Sequence, residues 1–261
     1  MSDAKDLNKQ RYSEFADDYV TSITHAKGAD LDLLIEFAQP ERSWHVLDIA
    51  TGGGHTALKF APYVDSVIAT DLTPAMLQSA EKFIIGQGIS NVEFKVADAE
   101  DLPFEDAQFD LVTCRIAPHH FPDVAQFVRE SARVLKPNGI LLVQDHVLSA
   151  DTSVATFADA FEKLRDPSHN KAYSAQAWIS MFEDVGLTVA KTHELTKRHQ
   201  LLSWAKRQGN DDVTIAQLIN LLDVASDTIK AWMQPEAWTS DKASFVNHHI
   251  ILMGRKSDSK N

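Results

Sequence analysis

An α/β fold with a doubly wound, mostly parallel sheet of seven strands follows from three observations. Apolar stretches of strand length alternate with segments of helical spacing from residue 46 to residue 145. The strands are near-continuous runs of Val, Ile and Leu, as expected where helices cover both faces of a parallel sheet. The first strand runs into Gly52-Gly53-Gly54, and a helical pattern starts directly behind it. A strand, a glycine turn and a helix N-terminus in that order bring bare backbone to a ligand.

The elements follow in order. Leu7, Tyr12, Phe15, Ala16 and Tyr19 give a 3- and 4-residue spacing that predicts a helix over residues 6–20. A second helix spans 30–38, with Asp30 as its N-cap and Pro40 beyond its end. Val46–Ala50 is the first strand, and a helix follows over 55–63. Ser66–Asp71 is the second strand; Thr73 and Pro74 are the N-cap and first position of a helix that ends near Gly86 and Gly88. Val92–Asp98 and Phe109–Arg115 are the third and fourth strands, 122–135 a helix, and Gly139–Asp145 the fifth strand. The rhythm then changes: helices over 152–165 and 174–185, a strand at Leu187–Leu195, a helical insertion over 199–233, and a last, antiparallel strand at Phe245–Met253. The expectation is one domain over 1–261, divided into N-terminal helices (1–40), a cofactor-binding core (41–147) and a C-terminal part (148–261) whose insertion caps the sheet.

The chain has 261 residues and 44% hydrophobic content, enough for a full core. A net charge of −12 argues against nucleic acid, which needs clustered Lys and Arg. No apolar run approaches the roughly 18–20 residues of a membrane helix. Cys114 is the one cysteine, which excludes an internal disulfide and a Cys-based zinc site; no His pair has the spacing of a known metal motif, and no metal is expected. The first residues carry no signal-peptide pattern, so a cytoplasmic protein is expected. A homodimer is compatible with the sequence and is not specified by it.

Four strands end in carboxylates: Asp48 inside the first, and Asp71, Asp98 and Asp145 at the tips of the second, third and fifth. Together they would ring the glycine turn. Gly52, Gly54 and Ala57 satisfy G-x-G-x-x-A, and Asp71 lies 19 residues after Gly52, where a ribose-binding carboxylate is expected. The pattern fits both NAD and S-adenosylmethionine. A pyrophosphate would face Asp48 and be repelled; an ammonium beside a sulfonium would be attracted. Charge therefore favours S-adenosylmethionine. An NAD-dependent oxidoreductase and a non-catalytic S-adenosylmethionine-binding protein remain as alternatives.

Val46-Leu-Asp-Ile-Ala-Thr-Gly-Gly-Gly resembles the first motif of the Rossmann-like S-adenosylmethionine-dependent methyltransferases. Thr70-Asp-Leu-Thr-Pro-Ala-Met-Leu, Ala97-Asp-Ala-Glu-Asp-Leu-Pro-Phe, Phe109-Asp-Leu-Val and Leu135-Lys-Pro-Asn-Gly-Ile-Leu follow in that family's order. The likeness is greatest to the small-molecule branch that includes the ubiquinone/menaquinone C-methyltransferases, and it covers residues 40–147. The resemblance implies that the Gly52–Gly54 backbone approaches the methionyl group, with Asp48 on its ammonium side. It further implies Asp71 on the ribose hydroxyls, Leu72 and Met76 against the cofactor, Asp98 and the Ala99 N–H on the adenine, the Arg115 carbonyl on the ammonium, and Tyr19 over the methionyl carboxylate. Ala50 stands where the family often has glycine.

For catalysis, His120 or His119 could take a proton from the acceptor, or cap the following helix, or pack beneath a lid. Arg115 could orient an anionic acceptor or pair with a structural carboxylate. His146 and His169 read as structural. His248 and His249 alternate on a strand and point to opposite faces. Trp178, Trp204, Trp232 and Trp238 form either a satellite core under the insertion or an apolar acceptor pocket. The expected activity is methyl transfer from S-adenosylmethionine to a small apolar or aromatic acceptor, by C- or O-methylation.

Overall fold

The computed structural model describes residues 3–14, 29–237 and 242–258. Tyr19 and Trp238 lie outside the described residues. Helix α1 (Asp3–Glu14) and helix α2 (Ala29–Ala38) precede the sheet. Then come β1 (His45–Ile49), α3 (His55–Phe60), β2 (Ser66–Asp71), α4 (Pro74–Gly86), β3 (Val92–Val96), β4 (Phe109–Arg115), α5 (Val124–Val134) and β5 (Leu135–Leu148). The C-terminal part holds α6 (Thr152–Arg165), a two-residue β6 (Tyr173–Ser174), α7 (Ala175–Glu183) and β7 (Leu187–Gln200). Helices α8 (Leu201–Lys206), α9 (Asp212–Asp223) and α10 (Asp227–Met233) lead to β8 (Ser244–Lys256).

The main sheet order is β3-β2-β1-β4-β5-β8-β7, with β6 attached to β5 off this path. The strands β1 to β5 pair in parallel, and β8 is antiparallel to both β5 and β7. Seven strands, a parallel centre and an antiparallel last strand agree with the sequence. The winding direction reverses between β1 and β4, which opens a crevice at their carboxyl ends.

Neighbouring residues on one strand feed opposite cores. Val46 belongs to the cluster with Phe60, Leu111, Ile140 and Ile251, and Leu47 to the one with Val112, Phe127, Leu141 and Trp178. Both are fully buried, so the strand carries no polar alternation. A third cluster joins α6 to the insertion through Phe161, Trp204, Leu218 and Phe245. Trp178 therefore serves the sheet core, while Trp204 serves the cap.

Three local expectations change. Strand β7 runs on to Gln200, pairing residue by residue with β8 as far as Ser244, so the insertion starts at 201. Thr196-Lys-Arg-His-Gln is too polar to read as a strand, but charged residues suit the edge strand it is. Asp30 lies inside α2, and its Oδ2 accepts from Arg115 Nη2 at 2.7 Å, Gln144 Nε2 at 2.7 Å and Lys197 Nζ at 2.9 Å, so it is no cap. Thr73 occupies the N-cap position of α4, but its hydroxyl makes no capping bond; its N–H donates to Asp71 Oδ1 at 2.9 Å.

Among the described residues no helix is long and apolar enough to cross a membrane.

Candidate functional site

The glycine turn is held from below. Thr51 Oγ1 donates to Asp48 at 2.6 Å and Thr113 Oγ1 at 2.7 Å. Asp48 is 1% exposed, and burial pushes its pKa up to about 6 against those two hydroxyls. The Thr51 N–H reaches the Thr70 carbonyl at 2.7 Å, tying the turn to β2. From above, Asp71 Oδ2 accepts the Gly52 N–H at 3.1 Å. The turn needs left-handed backbone: φ is 54° at Gly52 and 81° at Gly54, and also 50° at Ala50. A Cβ on Gly54 would stand 2.8 Å from Ile84 Cδ1, so this glycine lets α3 pack on α4.

A cavity of about 680 Å³ opens over this turn. Its near half is lined by Ala50, Gly52, Asp71, Leu72, Met76, Asp98 and Ala99, together with Glu100. Three expected contacts are corrected. Asp48 and Asp145 do not line the cavity; strand alternation turns each of them inward, to hydroxyls in one case and to a histidine in the other. Gly54 also lies behind the wall, packed on α4. The ring of four carboxylates is thus two, Asp71 and Asp98, joined by Glu100.

Helix α1 covers this half. Lys5 Nζ bridges Asp98 at 2.6 Å and Glu100 at 2.5 Å. One turn on, Asn8 Nδ2 donates to the His120 carbonyl at 3.1 Å, and the Tyr12 hydroxyl meets His120 Nε2 at 2.7 Å. All three line the cavity. Sequence alone assigned this helix a site role only through Tyr19, which lies outside the described residues. The signal was present: positions 5, 8 and 12 share one helix face.

Beyond β4 the cavity reaches a cluster of imidazoles. Pro118–His120 forms a 3-10 turn, and Asp123, whose carboxylate accepts the Gln126 N–H, is the true cap of α5. The two histidines therefore cap nothing. His119 Nδ1 lies 2.6 Å from Asp145 Oδ1, and its ring stacks on His146 with centroids 4.5 Å apart. Burial first, then His120, lowers the His119 pKa well below the ordinary imidazole value. Burial also raises Asp145 to about 6. A neutral His119 donating through Nδ1 to a charged Asp145 satisfies both groups and leaves Nε2 as a proton acceptor. His120 differs: Nδ1 faces the Ser168 carbonyl at 3.1 Å, and Nε2 is taken by Tyr12.

Arg115 pairs with a structural carboxylate, the second of its two expected roles. Its guanidinium holds Asp30 at 2.7 Å and Gln144 at 3.1 Å. Arg115 and Lys197 keep Asp30 well below the ordinary carboxylate range despite its burial. His169 is structural, bonded to Asp159 at 2.7 Å. His248 stacks on Trp232 on one side of β8, while His249 lines the cavity on the other. Among the described residues, no group of three or more His, Cys, Asp or Glu side chains is placed to hold a metal ion.

A sheet wound this way, with a glycine turn and an acidic strand tip facing a cavity at the switch point, defines a nucleotide-cofactor enzyme of the Rossmann-like class. Comparison with known proteins makes the class specific. Residues 47–143 match the family described as "Methyltransferase domain". The chain is 40% identical over 220 residues to the uncharacterized methyltransferase YcgJ of Bacillus subtilis (strain 168), covering 84% of this chain and 87% of that one. The crystal structure of YcgJ superposes with a TM-score of 0.84 at 38% identity over 88% of this chain and 98% of that one. BH2331 of Bacillus halodurans C-125 gives a TM-score of 0.85 at 36% identity over 88% of this chain and 100% of that one. A ubiquinone/menaquinone biosynthesis C-methyltransferase of Rickettsia massiliae is 37% identical over 107 residues, 38% of this chain and 43% of that one. The chain belongs to the S-adenosylmethionine-dependent methyltransferases. That excludes the dinucleotide-dependent oxidoreductase reading.

Proposed function

We propose that the cavity binds S-adenosylmethionine in its near half and a small acceptor with an apolar or aromatic body in its far half, where His119 takes the acceptor's proton. The observation that carries this reading is Asp71, a carboxylate at the tip of β2 that lines the cavity while its Oδ2 accepts the Gly52 N–H. The lining fits such a cofactor. Asp71, Asp98 and Glu100 outnumber Lys5, which bridges the last two, and the remaining negative charge suits an ammonium and a sulfonium and repels a pyrophosphate. Asp71 would accept the ribose hydroxyls, and Leu72 and Met76 would flank the adenosine. Asp98 and the Ala99 N–H would meet the adenine, and the Gly52 backbone and the Arg115 carbonyl the methionyl group. Asp48 acts through Thr51, fixing the turn rather than touching the ligand.

S-adenosylmethionine supplies, when bound, a methyl group already activated by its positive sulfur. The protein then needs to align the acceptor and receive a proton. His119 Nε2 accepts that proton, and Asp145 stabilises the imidazolium through Nδ1. Ile116, Ala117, Phe121 and Trp204 supply apolar wall for the acceptor. C-methylation is the preferred outcome, by analogy with the quinone-biosynthesis C-methyltransferases.

Calorimetric titration with S-adenosylmethionine tests the cofactor half, and a mass-spectrometric screen of an acceptor library for methylated products tests turnover. Binding without any turnover would leave the third reading, a non-catalytic binding protein.

A further inference from the structure

We propose that the far arm of the cavity receives an anionic group of the methyl acceptor, a carboxylate or a phosphate. This rests on the methyltransferase reading and names its second substrate by class.

The first observation is His249. It is 2% exposed, lines the cavity wall, and neither of its ring nitrogens has a hydrogen-bond partner among the described residues. A buried polar group left so is destabilising, and such groups are rare in native proteins. A ligand in the arm accounts for it.

The second observation is that the arm is rich in donors. Arg165, Lys197 and Arg207 line it, and these side chains only donate. One carboxylate, Asp30, serves both Lys197 and Arg115, so that trio keeps a net positive charge. The Arg165 guanidinium lies over the Trp204 ring at 4.5 Å and bonds the Trp204 carbonyl, a neutral acceptor. The carboxylate lining this arm, Asp166, is engaged by the Ser168 hydroxyl and lies 3.4 Å from Arg11. Asp145 and Glu162 stand behind the wall, bonded to His119 and Asn247.

The third observation is contrast. The near half presents Asp71, Asp98 and Glu100, of which Lys5 bridges the last two and leaves an excess of negative charge, and the chain as a whole carries −12. A wall of cations at the far end is therefore local, and it makes the cavity bipolar. A neutral acceptor would gain little from these partly desolvated cations. An anion would gain charge-assisted hydrogen bonds, roughly twice as strong as neutral ones, and would present acceptor lone pairs to the one N–H of a neutral His249.

Matched probes test this in the intact protein. S-adenosylhomocysteine is titrated first by calorimetry; its failure to bind would sink the methyltransferase reading itself. Benzoate, phenyl phosphate and the neutral isostere benzamide are then titrated into the saturated complex. At least one anion should bind about tenfold or more tighter than benzamide, a difference of about 1.4 kcal/mol. The tighter anion identifies carboxylate or phosphate. Arg165→Gln and the exposed-site variant Arg207→Gln should each reduce that preference, and His249→Gln should reduce it too. Equal affinities for anion and amide, or no anion binding at about 10 mM, overturn the proposal. So does a preference that all three variants retain, because the anion then binds elsewhere.

Discussion

Asp145 holds His119 at two points: Oδ1 lies 2.6 Å from the ring Nδ1, and Oδ2 accepts the backbone N–H of the same residue at 2.8 Å. One carboxylate thus fixes both the ring and the turn that carries it. This arrangement specifies the tautomer, because an ionised carboxylate can only accept. His119→Gln should lower kcat on the best acceptor by about 10²–10⁴ if that acceptor must lose a proton. Asp145→Asn should do nearly the same, by presenting an amide that can stabilise the wrong tautomer. Calorimetry should show S-adenosylhomocysteine affinity little changed in both. A kcat within about threefold of wild type in His119→Gln would remove the base from the mechanism.

Asp71 joins the turn to the start of α4, with Gly52 on one oxygen and Thr73 on the other. Asp71→Asn keeps the shape and gives up one acceptor oxygen. The affinity for S-adenosylhomocysteine should fall by about 2–3 kcal/mol, on the order of a hundredfold. Unchanged affinity would refute the ribose assignment and leave Asp71 as a turn residue alone.

Acid should destabilise the protein before its carboxylates reach their usual range. His119, His120, His146, His199 and His249 all line the cavity, and burial lowers each of their pKa values, that of His199 to about 3. The unfolded chain takes up those protons near pH 6.5 and the folded chain does not. Stability is therefore lost as pH falls through the unfolded-state value, with a slope of about 1.4 kcal/mol per pH unit for each proton. Asp48 and Asp145 act in the opposite sense: burial raises both to about 6, so the folded chain gains protons below that point and offsets part of the loss. Thermal unfolding should show Tm beginning to fall near pH 7 and falling more steeply between about pH 6 and 5. A flat Tm across that interval would mean that the imidazoles are protonated in the folded state.

The strands, their parallel pairing and the place of the crevice were legible because each depends on local pattern: buried runs, glycines, and carboxylates at strand tips. Asp71, Leu72, Asp98 and Ala99 stand at or just past the ends of β2 and β3, and with Met76 in the first turn of α4 they line the cavity. The direction of a side chain at a strand end was not legible. Asp48 and Asp145 read as cavity carboxylates, yet pleat and register turned both into the wall. Contacts made across the fold were invisible as well. Lys5 reaches Asp98 across 93 positions, and Lys197 reaches Asp30 across 167. His249 was placed on the correct strand, but only the pairing of His146 with His249 across β5 and β8 brings it to the cavity.

Ala50 marks a departure from the family's usual glycine, and the structure shows its cost. Its φ of 50° lies in the left-handed region, one residue before the Thr51 that ties the turn to Asp48. That conformation costs a non-glycine residue about 1–2 kcal/mol. Glycine removes the strain but adds backbone freedom to the unfolded chain, worth about 0.5–1 kcal/mol in the other direction. The methyl group also packs against the core cluster that includes Leu47 and Phe127, so its loss subtracts a little more. The strain is the largest of these terms. Ala50→Gly should therefore stabilise the protein by about 0.5 kcal/mol, a rise of about 1–2 °C in Tm for a chain of this size. The same relief should leave the Gly52 N–H on Asp71 and cofactor affinity unchanged. A lower Tm would show that the methyl contact outweighs the backbone strain, and that the alanine is held there by packing.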